Sequence, residues 1–298
     1  MSLDWIGAPP APGDLPSASA RVHLRYEDVT QDGRVLLEVL PNALGSAVWA
    51  AQLEKAPFAR ECFRRGVVPI LTRFVLEGTP GPFAVSQPLD AVGRWALARV
   101  ANEAGATEKL VVNMWAELTG PIGRTYPPPP DGAGTVVAAG RIFAEHVLTR
   151  LFAAPGERRV TSIDDVPGAP SDLPLYSPRP LARMLDLPEG ARPLDDEARP
   201  EDELVFGVMH TDSNHHVNSL VYLRVFEELA LRRLAALGRR DAVLSRKLEI
   251  AYRKPCFAGD RVRVALRAFE HEGALGVVGE LGAAAGGAPH CSVRILFG

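Results

Sequence analysis

Polar side chains recur at every second position in one short run of the second half of the chain. Asp212, Asn214, His216 and Asn218 lie between an apolar segment, 204–209, and a long stretch with apolar residues at helical spacing. Burying such side chains costs free energy unless each is hydrogen-bonded, so packing alone gives little reason to gather them. A carboxylate, an amide and an imidazole at the N-terminus of a helix are the groups of an acid/base or nucleophilic site.

The segments around this run predict how the polar side chains would be positioned. Residues 204–209 are predicted to form a short strand, and 219–237 an amphipathic helix that ends at Gly238. Further strands are predicted after the helix. A long helix followed by consecutive strands favours an antiparallel sheet wrapped around that helix. The later strands are predicted at 243–253, 260–270, 276–281 and 290–297.

Two segments of the sequence carry a family resemblance. The run D-x-N-x-H-V-N-x-x-x-Y over 212–222, placed before a long helix, resembles the hotdog-fold thioesterases, and the acyl-ACP thioesterases most of all. The segment LEIAYRKPCFAGD, 248–260, resembles the strand that follows the helix in that family. The resemblance implies hydrolysis of an acyl thioester carried by an acyl carrier protein (ACP) or by coenzyme A. No cofactor is predicted.

The resemblance implies roles for three catalytic residues. Asp212 falls on the acidic position before the helix, as the nucleophile or as the base that activates a water; the alternative is an Asx turn or a helix cap. Asn214 would orient Asp212 or donate a hydrogen bond to the oxyanion, and otherwise it only shapes a turn. His216 would hydrogen-bond the carboxylate or a water and transfer a proton near neutral pH, and otherwise it is a buried, hydrogen-bonded histidine.

Three further residues are predicted to line the substrate site, each with a structural alternative. Asn218 fits a helix cap better than a catalyst, and Tyr222, one turn into the helix, fits the core. Cys256 keeps the position of a family cysteine, but the favoured interpretation is a small buried apolar side chain rather than a nucleophile.

The resemblance fails at Pro255, which stands where plant-type acyl-ACP thioesterases carry a glutamate before the cysteine. Glu249 lies six residues before Pro255, roughly 20 Å along an extended strand, so it cannot easily replace that glutamate. A mechanism driven by Asp212 alone survives this loss. The alternative function is an acyl-thioester-binding protein that does not hydrolyse its ligand.

The first half of the chain shows a similar order of elements. Strands are predicted at 21–26 and 34–40, then a helix at 44–65 with a kink or boundary at Pro57. Further strands follow the helix. We therefore predict an α+β fold of two tandem hotdog modules, each a long helix wrapped by an antiparallel sheet, fused as a pseudo-dimer. The further strands are predicted at 67–76, 91–100, 109–118 and 135–149.

The turn of the first half that corresponds to the catalytic run lacks most of its polar groups. Residues 27–34 contain Asp28 and Asp32 but no histidine or asparagine, and they include the Asp-Gly dipeptide of a hairpin turn. The first module is therefore predicted to be non-catalytic, completing the sheet and part of the acyl pocket. The site is predicted to lie in the second module.

The distribution of proline and polar residues predicts the domain boundaries. A loose N-terminal arm is predicted at 1–20, the first module at 21–160, a Pro-rich connector at 161–203 and the second module at 204–298.

Because a fused pair already covers the edge that single hotdog modules hide by dimerising, the protein is predicted to be a monomer or a homodimer.

Composition narrows the class of protein. The 298-residue chain carries a formal net charge of −3, which gives no electrostatic case for a nucleic-acid partner. Its three cysteines have no paired spacing, and no run of about 18 apolar residues occurs, so a cytoplasmic protein without a membrane span is predicted. A G-x-S-x-G elbow, zinc-ligand spacing and a phosphate-binding glycine loop are absent from the sequence.

A group of basic residues near the end of the predicted helix could bind the carrier of the thioester. It could receive an acidic carrier protein or the phosphates of coenzyme A, and otherwise it is a solvated helix end. Its members are Arg232, Arg233, Arg239, Arg240, Arg246 and Lys247.

Overall fold

The computed structural model describes the larger part of the chain. Within that part, no helix combines the length and the apolar character that crossing a membrane requires. Most of the first ten residues of the predicted arm, and Arg240 of the basic group, lie outside the described residues. The described residues are 6, 11–195, 199–200, 203–239 and 244–298.

The chain divides into two compact units. One is Pro9–Arg179, and the other is Pro180–Gly298 together with Met1–Ala8. Each unit contains an antiparallel sheet and helical segments, so the predicted α+β class is confirmed.

The sheet of Pro9–Arg179 has five antiparallel strands in the order β1-β3-β4-β5-β2. The four long strands match the predicted ones and extend most of them. The first strand begins at Ser17, inside the segment predicted as a loose arm, and ends at Val22. The strands are β1 (Ser17–Val22), β2 (Val67–Gly78), β3 (Leu89–Ala101), β4 (Thr107–Pro121) and β5 (Val136–Arg150).

The helix predicted at 44–65 is broken into segments. A helical turn, α1 (Pro41–Ala43), runs into a π-helical segment, Leu44–Ala50, which packs on the sheet so closely that a Cβ on Gly93 would lie 2.8 Å from Ala47. A second helix, α2 (Pro57–Arg64), begins at the predicted boundary, because proline suits the first helical position.

The strand predicted at 34–40 is wrong. Leu37–Val39 forms a 3₁₀ turn that leads into α1, and its apolar side chains are buried. Buried Val35, Leu37 and Val39 alternate with half-buried residues, which is the period of two that predicts a strand, although the chain forms a helical turn here.

The second unit contains the predicted long helix and the four strands after it. Helix α3 (Ser219–Ala236) packs on strand β10 and buries Phe226 completely. The sheet order is β9-β12-β11-β10, all antiparallel, and three two-residue strands pair with the outer edge of β10. These strands are β6 (Arg192–Pro193), β7 (Arg199–Pro200), β8 (Leu204–Val205), β9 (Ser245–Tyr252), β10 (Arg261–His271), β11 (Ala274–Ala283) and β12 (Cys291–Phe297).

A buried histidine makes the stability of the Pro9–Arg179 unit depend on pH. The His146 ring on β5 lies edge-on to Trp49, with centroids 5.9 Å apart, and burial lowers its pKa to about 4. Since the unfolded chain binds this proton near pH 6.5, stability is fully present above that pH and is lost as the pH falls towards 4. Because of His146, wild type is expected to lose about 2 to 3 kcal/mol of unfolding free energy between about pH 7 and about pH 4.5. We expect the His146→Leu variant not to show this loss.

Urea unfolding of wild type and variant at both pH values measures this difference. His23→Leu, which changes an exposed histidine, is the matched control and is expected to retain the wild-type pH dependence. An identical loss of stability in wild type and His146→Leu would contradict the assignment.

Candidate active site

The chain leaves the sheet earlier than predicted on its way into the polar run. Strand β8 ends at Val205, and Val208–His210 forms a 3₁₀ turn, so the predicted strand 204–209 is wrong in its second half. Side chains cause the departure: His210 Nδ1 accepts the Gly207 N–H at 2.9 Å, and the Thr211 hydroxyl donates to the Val208 carbonyl at 2.7 Å. Such local bonds compete with the ladder of a sheet.

The Asp212 carboxylate is held at both oxygens. Its Oδ1 accepts the main-chain N–H of Asn214 at 2.8 Å, and its Oδ2 accepts the side-chain amide of Asn218 at 3.0 Å. The Asp212 N–H in turn donates to the His216 carbonyl at 3.1 Å. The carboxylate is therefore fixed in direction while Asp212 remains half-exposed.

Asn218 connects this carboxylate to the helix. Its Oδ1 accepts the Leu220 N–H at 2.9 Å, which is the N-cap that the sequence predicted for it. Its other amide atom donates to Asp212. One side chain thus both caps α3 and orients Asp212, so the carboxylate lies close to the positive end of the helix dipole.

The side chains of Asn214 and His216 contact Asp212 less directly than their main chains do. Asn214 is exposed, and its N–H, not its side-chain amide, binds the carboxylate. The half-buried His216 ring places Nδ1 3.1 Å from the Val217 carbonyl. Among the described residues, neither side chain is hydrogen-bonded to the Asp212 carboxylate. His215 adopts a left-handed conformation, φ 64°, and is exposed.

Tyr222 and Cys256 lie behind the loop that carries Asp212 and hold it through hydrogen bonds. The Tyr222 hydroxyl accepts the Cys256 N–H at 2.9 Å, and the Cys256 carbonyl accepts the Val217 N–H at 2.8 Å. Burial raises the pKa of the Cys256 thiol and of the Tyr222 hydroxyl, so both stay protonated near neutral pH.

A third member of this cluster was not predicted. His290 is buried and places Nδ1 3.1 Å from the Cys256 sulfur, and its carbonyl accepts the Arg253 and Lys254 N–H groups. The proximity arises because β12 pairs with β9, with Cys291 opposite Tyr252. The separation of Cys256 and His290 along the sequence does not indicate that contact.

Glu249 lies inside strand β9 and not on the loop that carries Pro255. Pro255 is exposed on the loop after β9, while Glu249 is completely buried within β9, opposite Arg294 of β12. Among the described residues, no group of three or more histidine, cysteine or carboxylate side chains could hold a metal ion.

The basic group predicted to bind a carrier is largely engaged within the unit. Arg233 is bound to the buried Asp195, Arg232 to Glu228 and Arg239 to Glu270. Lys247 is itself buried. Internal ion pairs therefore account for much of this cluster, and its charge is less available to a partner than the sequence suggested.

Comparison with known proteins gives a result for the fold. No protein-family model matches the chain, and no curated protein matches its sequence. Solved structures match along almost its whole length. An acyl-ACP thioesterase from Bacteroides thetaiotaomicron is 17% identical with a TM-score of 0.54, over 95% of this chain and 98% of the other. The 12:0-ACP thioesterase from Umbellularia californica is 14% identical with a TM-score of 0.59, over 95% and 97%.

A protein named as an oleoyl thioesterase, from Lactobacillus plantarum, matches equally well. It is 13% identical, with a TM-score of 0.59 over 96% of this chain and 97% of the other. The fold that the family resemblance implied is therefore confirmed by structures that cover both units. The chain has the fold of the hotdog acyl-ACP thioesterases over nearly its entire length.

Proposed function

We propose that this protein hydrolyses an acyl thioester, carried by ACP or by coenzyme A, to a free acid and a free thiol. The observation that carries the proposal is the Asp212 carboxylate, held by the Asn214 N–H and the Asn218 amide at the N-terminus of α3. A half-exposed carboxylate fixed in this way meets the geometric needs of a nucleophile or a base.

Asp212 can act in either of two mechanisms of thioester hydrolysis. As the nucleophile, one carboxylate oxygen adds to the thioester carbonyl and the C–S bond breaks, so that the thiolate leaves and takes up a proton. A water then hydrolyses the resulting anhydride. As the base, Asp212 takes a proton from a water while that water adds to the carbonyl, and collapse of the intermediate breaks the C–S bond.

Neighbouring groups support both schemes. The exposed Asn214 side chain can donate to the oxyanion that forms on the thioester carbonyl. His216, half-buried beside the loop, can deliver the proton that the leaving thiolate needs. The dipole of α3 favours negative charge at its N-terminus.

We further propose that the two units are two fused hotdog modules, of which the first, 21–160, is non-catalytic. The state of its carboxylates supports this division. Asp28 is buried and bound by Arg25 Nη2 at 2.8 Å, and Asp32 is paired with Arg34 at 2.8 Å. Both acids are committed to ion pairs. The proposed organisation also includes an arm, which ends before Ser17 because Ser17–Val22 is a strand of the first sheet, the connector at 161–203 and the second module at 204–298, in a cytoplasmic monomer or homodimer.

The second candidate is a protein that binds an acyl thioester without hydrolysing it, and the exposed Pro255 in place of a glutamate favours it. Incubation of the protein with dodecanoyl thioesters in ¹⁸O-labelled water separates the two. Hydrolysis yields dodecanoic acid that carries the label, detected by mass spectrometry. A protein that only binds retains the intact, unlabelled thioester.

Cys256 is expected to contribute little to the chemistry. Its thiol is buried and in contact with His290, and burial raises its pKa, so the nucleophilic thiolate is disfavoured near neutral pH. We expect Cys256→Ala to keep kcat/KM within about tenfold of wild type, a change of at most about 1.4 kcal/mol in the barrier. Cys291→Ala, at another buried thiol, is the matched control. A hundredfold loss for Cys256→Ala alone, in a folded protein, would restore Cys256 as a nucleophile.

A further inference from the structure

Two phenyl rings protrude from the Pro9–Arg179 unit at the end of the sheet where β2 begins and β5 ends. Phe152 is 88% exposed in the turn after β5, and Phe63 is 73% exposed near the end of α2. Leu151, which precedes Phe152, is also exposed. Single apolar side chains are ordinary on a protein surface, whereas a contiguous group of large ones marks an interaction site.

The backbone brings these three side chains together around Gly66. This glycine lies just past the end of α2 in a left-handed conformation, φ 71°, and turns the chain into β2. Its N–H donates to the Phe63 carbonyl at 2.9 Å, and its carbonyl accepts the Leu151 N–H at 3.2 Å. A Cβ on Gly66 would lie 3.6 Å from the Phe152 ring. Phe63, Leu151 and Phe152 are therefore neighbours, and together they form the apolar tip.

The turn that carries Phe152 is apolar throughout. Residues 151–156 read LFAAPG and contain no polar side chain, and all of them except Ala153 are exposed. Turns are ordinarily built from glycine, proline and short polar residues, because these supply the turn conformations or hydrogen-bond the backbone. The exposed leucine and phenylalanine serve neither purpose, so the shape of the turn does not account for them.

Arginines flank the apolar tip on α2. Arg60, Phe63 and Arg64 are spaced by three and four residues, which places them on one exposed face of the helix. The opposite face is buried, with the Phe58 ring stacked on Trp95 at a centroid distance of 5.5 Å. The helix thus presents a phenyl ring between two guanidinium groups to the solvent.

The acid beside the tip on α2 is already paired. Glu61 accepts hydrogen bonds from Arg64 and Arg65, which lower its pKa to about 2. Arg65 also pairs with Asp165 at 2.6 Å. These contacts neutralise Glu61 and leave the other arginines near the tip to set the local charge.

The charge that remains around the tip is positive. Segments 60–65 and 150–159 each contain three arginines and one glutamate, although the whole chain has a net charge of −3. Arg60, Arg150 and Arg158 are exposed and, within the part of the chain that the structure describes, form no ion pair. The apolar tip therefore carries cations that are available to an anionic partner.

We propose that the apolar tip docks on the surface of a bilayer that contains anionic lipids. The two phenyl rings and Leu151 enter the boundary between headgroups and acyl chains. The arginines bind lipid phosphates, to which a guanidinium group can donate two parallel hydrogen bonds. Buried apolar area and electrostatic attraction both strengthen such binding, and the chain does not need to cross the bilayer.

The shape of the tip favours a bilayer over a protein partner. The centre of a protein interface is packed as closely as a protein interior, which requires matched surfaces. A ring that is 88% exposed stands above its surroundings, and a fluid bilayer accommodates it without a preformed pocket. A two-fold contact between copies of the chain would bring the same arginines towards each other.

Sedimentation with sucrose-loaded vesicles tests the docking, and it involves no thioester, so its outcome is independent of the proposed function. Wild type is expected to partition at least about tenfold more strongly onto vesicles of equal parts phosphatidylcholine and phosphatidylglycerol than onto phosphatidylcholine alone. Phe63→Ser/Phe152→Ser and Arg60→Glu/Arg158→Glu are each expected to lower partitioning onto the mixed vesicles about tenfold or more.

Two control variants match these changes away from the tip. Tyr126→Ser/Leu175→Ser removes side chains that are 68% and 61% exposed in the same unit. Arg253→Glu/Lys254→Glu makes the same change in net charge on exposed residues of the other unit. Both are expected to keep partitioning within about twofold of wild type, because salt screens charges that lie far from the contact.

A tryptophan variant measures insertion separately from binding. Lipids brominated on their acyl chains quench the fluorescence of a tryptophan that reaches them. Phe152→Trp is expected to show more quenching than wild type in mixed vesicles, whereas Tyr126→Trp is expected to show the same quenching as wild type.

Several results would overturn the proposal. Wild type that does not sediment with the mixed vesicles would do so, as would wild-type partitioning by either tip variant. Equal quenching in Phe152→Trp and Tyr126→Trp would show that the tip does not enter the bilayer. Tip variants that dissociate a dimer yet partition normally would make the tip a self-association surface.

Discussion

Asp212→Asn is expected to lower thioester turnover at least roughly a hundredfold while the protein stays folded, because the substitution removes the charge and keeps the shape. A hundredfold loss corresponds to about 2.7 kcal/mol of barrier. The amide can still accept one of the two hydrogen bonds that now come from Asn214 and Asn218, but its NH₂ group faces the other donor. We expect that mismatch to cost about 1 kcal/mol of folding free energy.

Steady-state release of free thiol, followed together with urea unfolding, measures both quantities. Asp32→Asn is the matched control, because Asp32 occupies the corresponding turn of the proposed first module and is paired with Arg34. Turnover of Asp32→Asn is expected to remain near wild type. If Asp212→Asn turns over at the full rate in a folded protein, Asp212 only shapes the turn.

Asn218→Asp is expected to lower turnover roughly 10- to 100-fold, through a different cause. A carboxylate at this position can still accept the Leu220 N–H and cap α3. It cannot donate to Asp212, and it places a second negative charge about 3 Å from the first. Losing a hydrogen bond to a charged group costs about 1.5 to 3 kcal/mol, and repulsion between like charges adds to that cost.

The two roles of Asn218, capping α3 and orienting Asp212, can be separated by measuring both stability and rate. Asn218→Asp is expected to keep the free energy of unfolding within about 1 kcal/mol of wild type, because the cap survives. Asn214→Ala is the companion variant, since it keeps the main-chain N–H that holds Asp212 Oδ1 and removes only the exposed amide. A normal rate for Asn218→Asp would show that the Asn218 side chain acts only as a cap.

Local sequence patterns predicted the second unit well. Apolar residues at helical spacing located α3 to within one residue of its ends, and Asn218 was recognisable as its cap because asparagine before an apolar-periodic segment can satisfy the first free N–H groups. The four strands after the helix were predicted in order. The grouping of Asp212, Asn214 and Asn218 followed from their short separation, since one loop brings them together without help from the rest of the fold.

The features that were missed depend on contacts between distant parts of the chain. His290 reaches Cys256 only because β9 and β12 pair, and no local pattern reports that register. The π-helical segment at Leu44–Ala50 packs against Gly93 of β3, another long-range contact that local spacing does not indicate. The early end of β8 comes from side-chain hydrogen bonds of His210 and Thr211, which an apolar pattern hides.

Release of free thiol from matched panels of acyl-ACP and acyl-CoA substrates, by wild type beside Asp212→Asn, tests the central claim most directly. The account predicts steady multiple turnover by wild type on at least one chain length, and a loss of roughly a hundredfold or more in the variant. Wild-type protein that binds these thioesters and releases no thiol from any of them would contradict it.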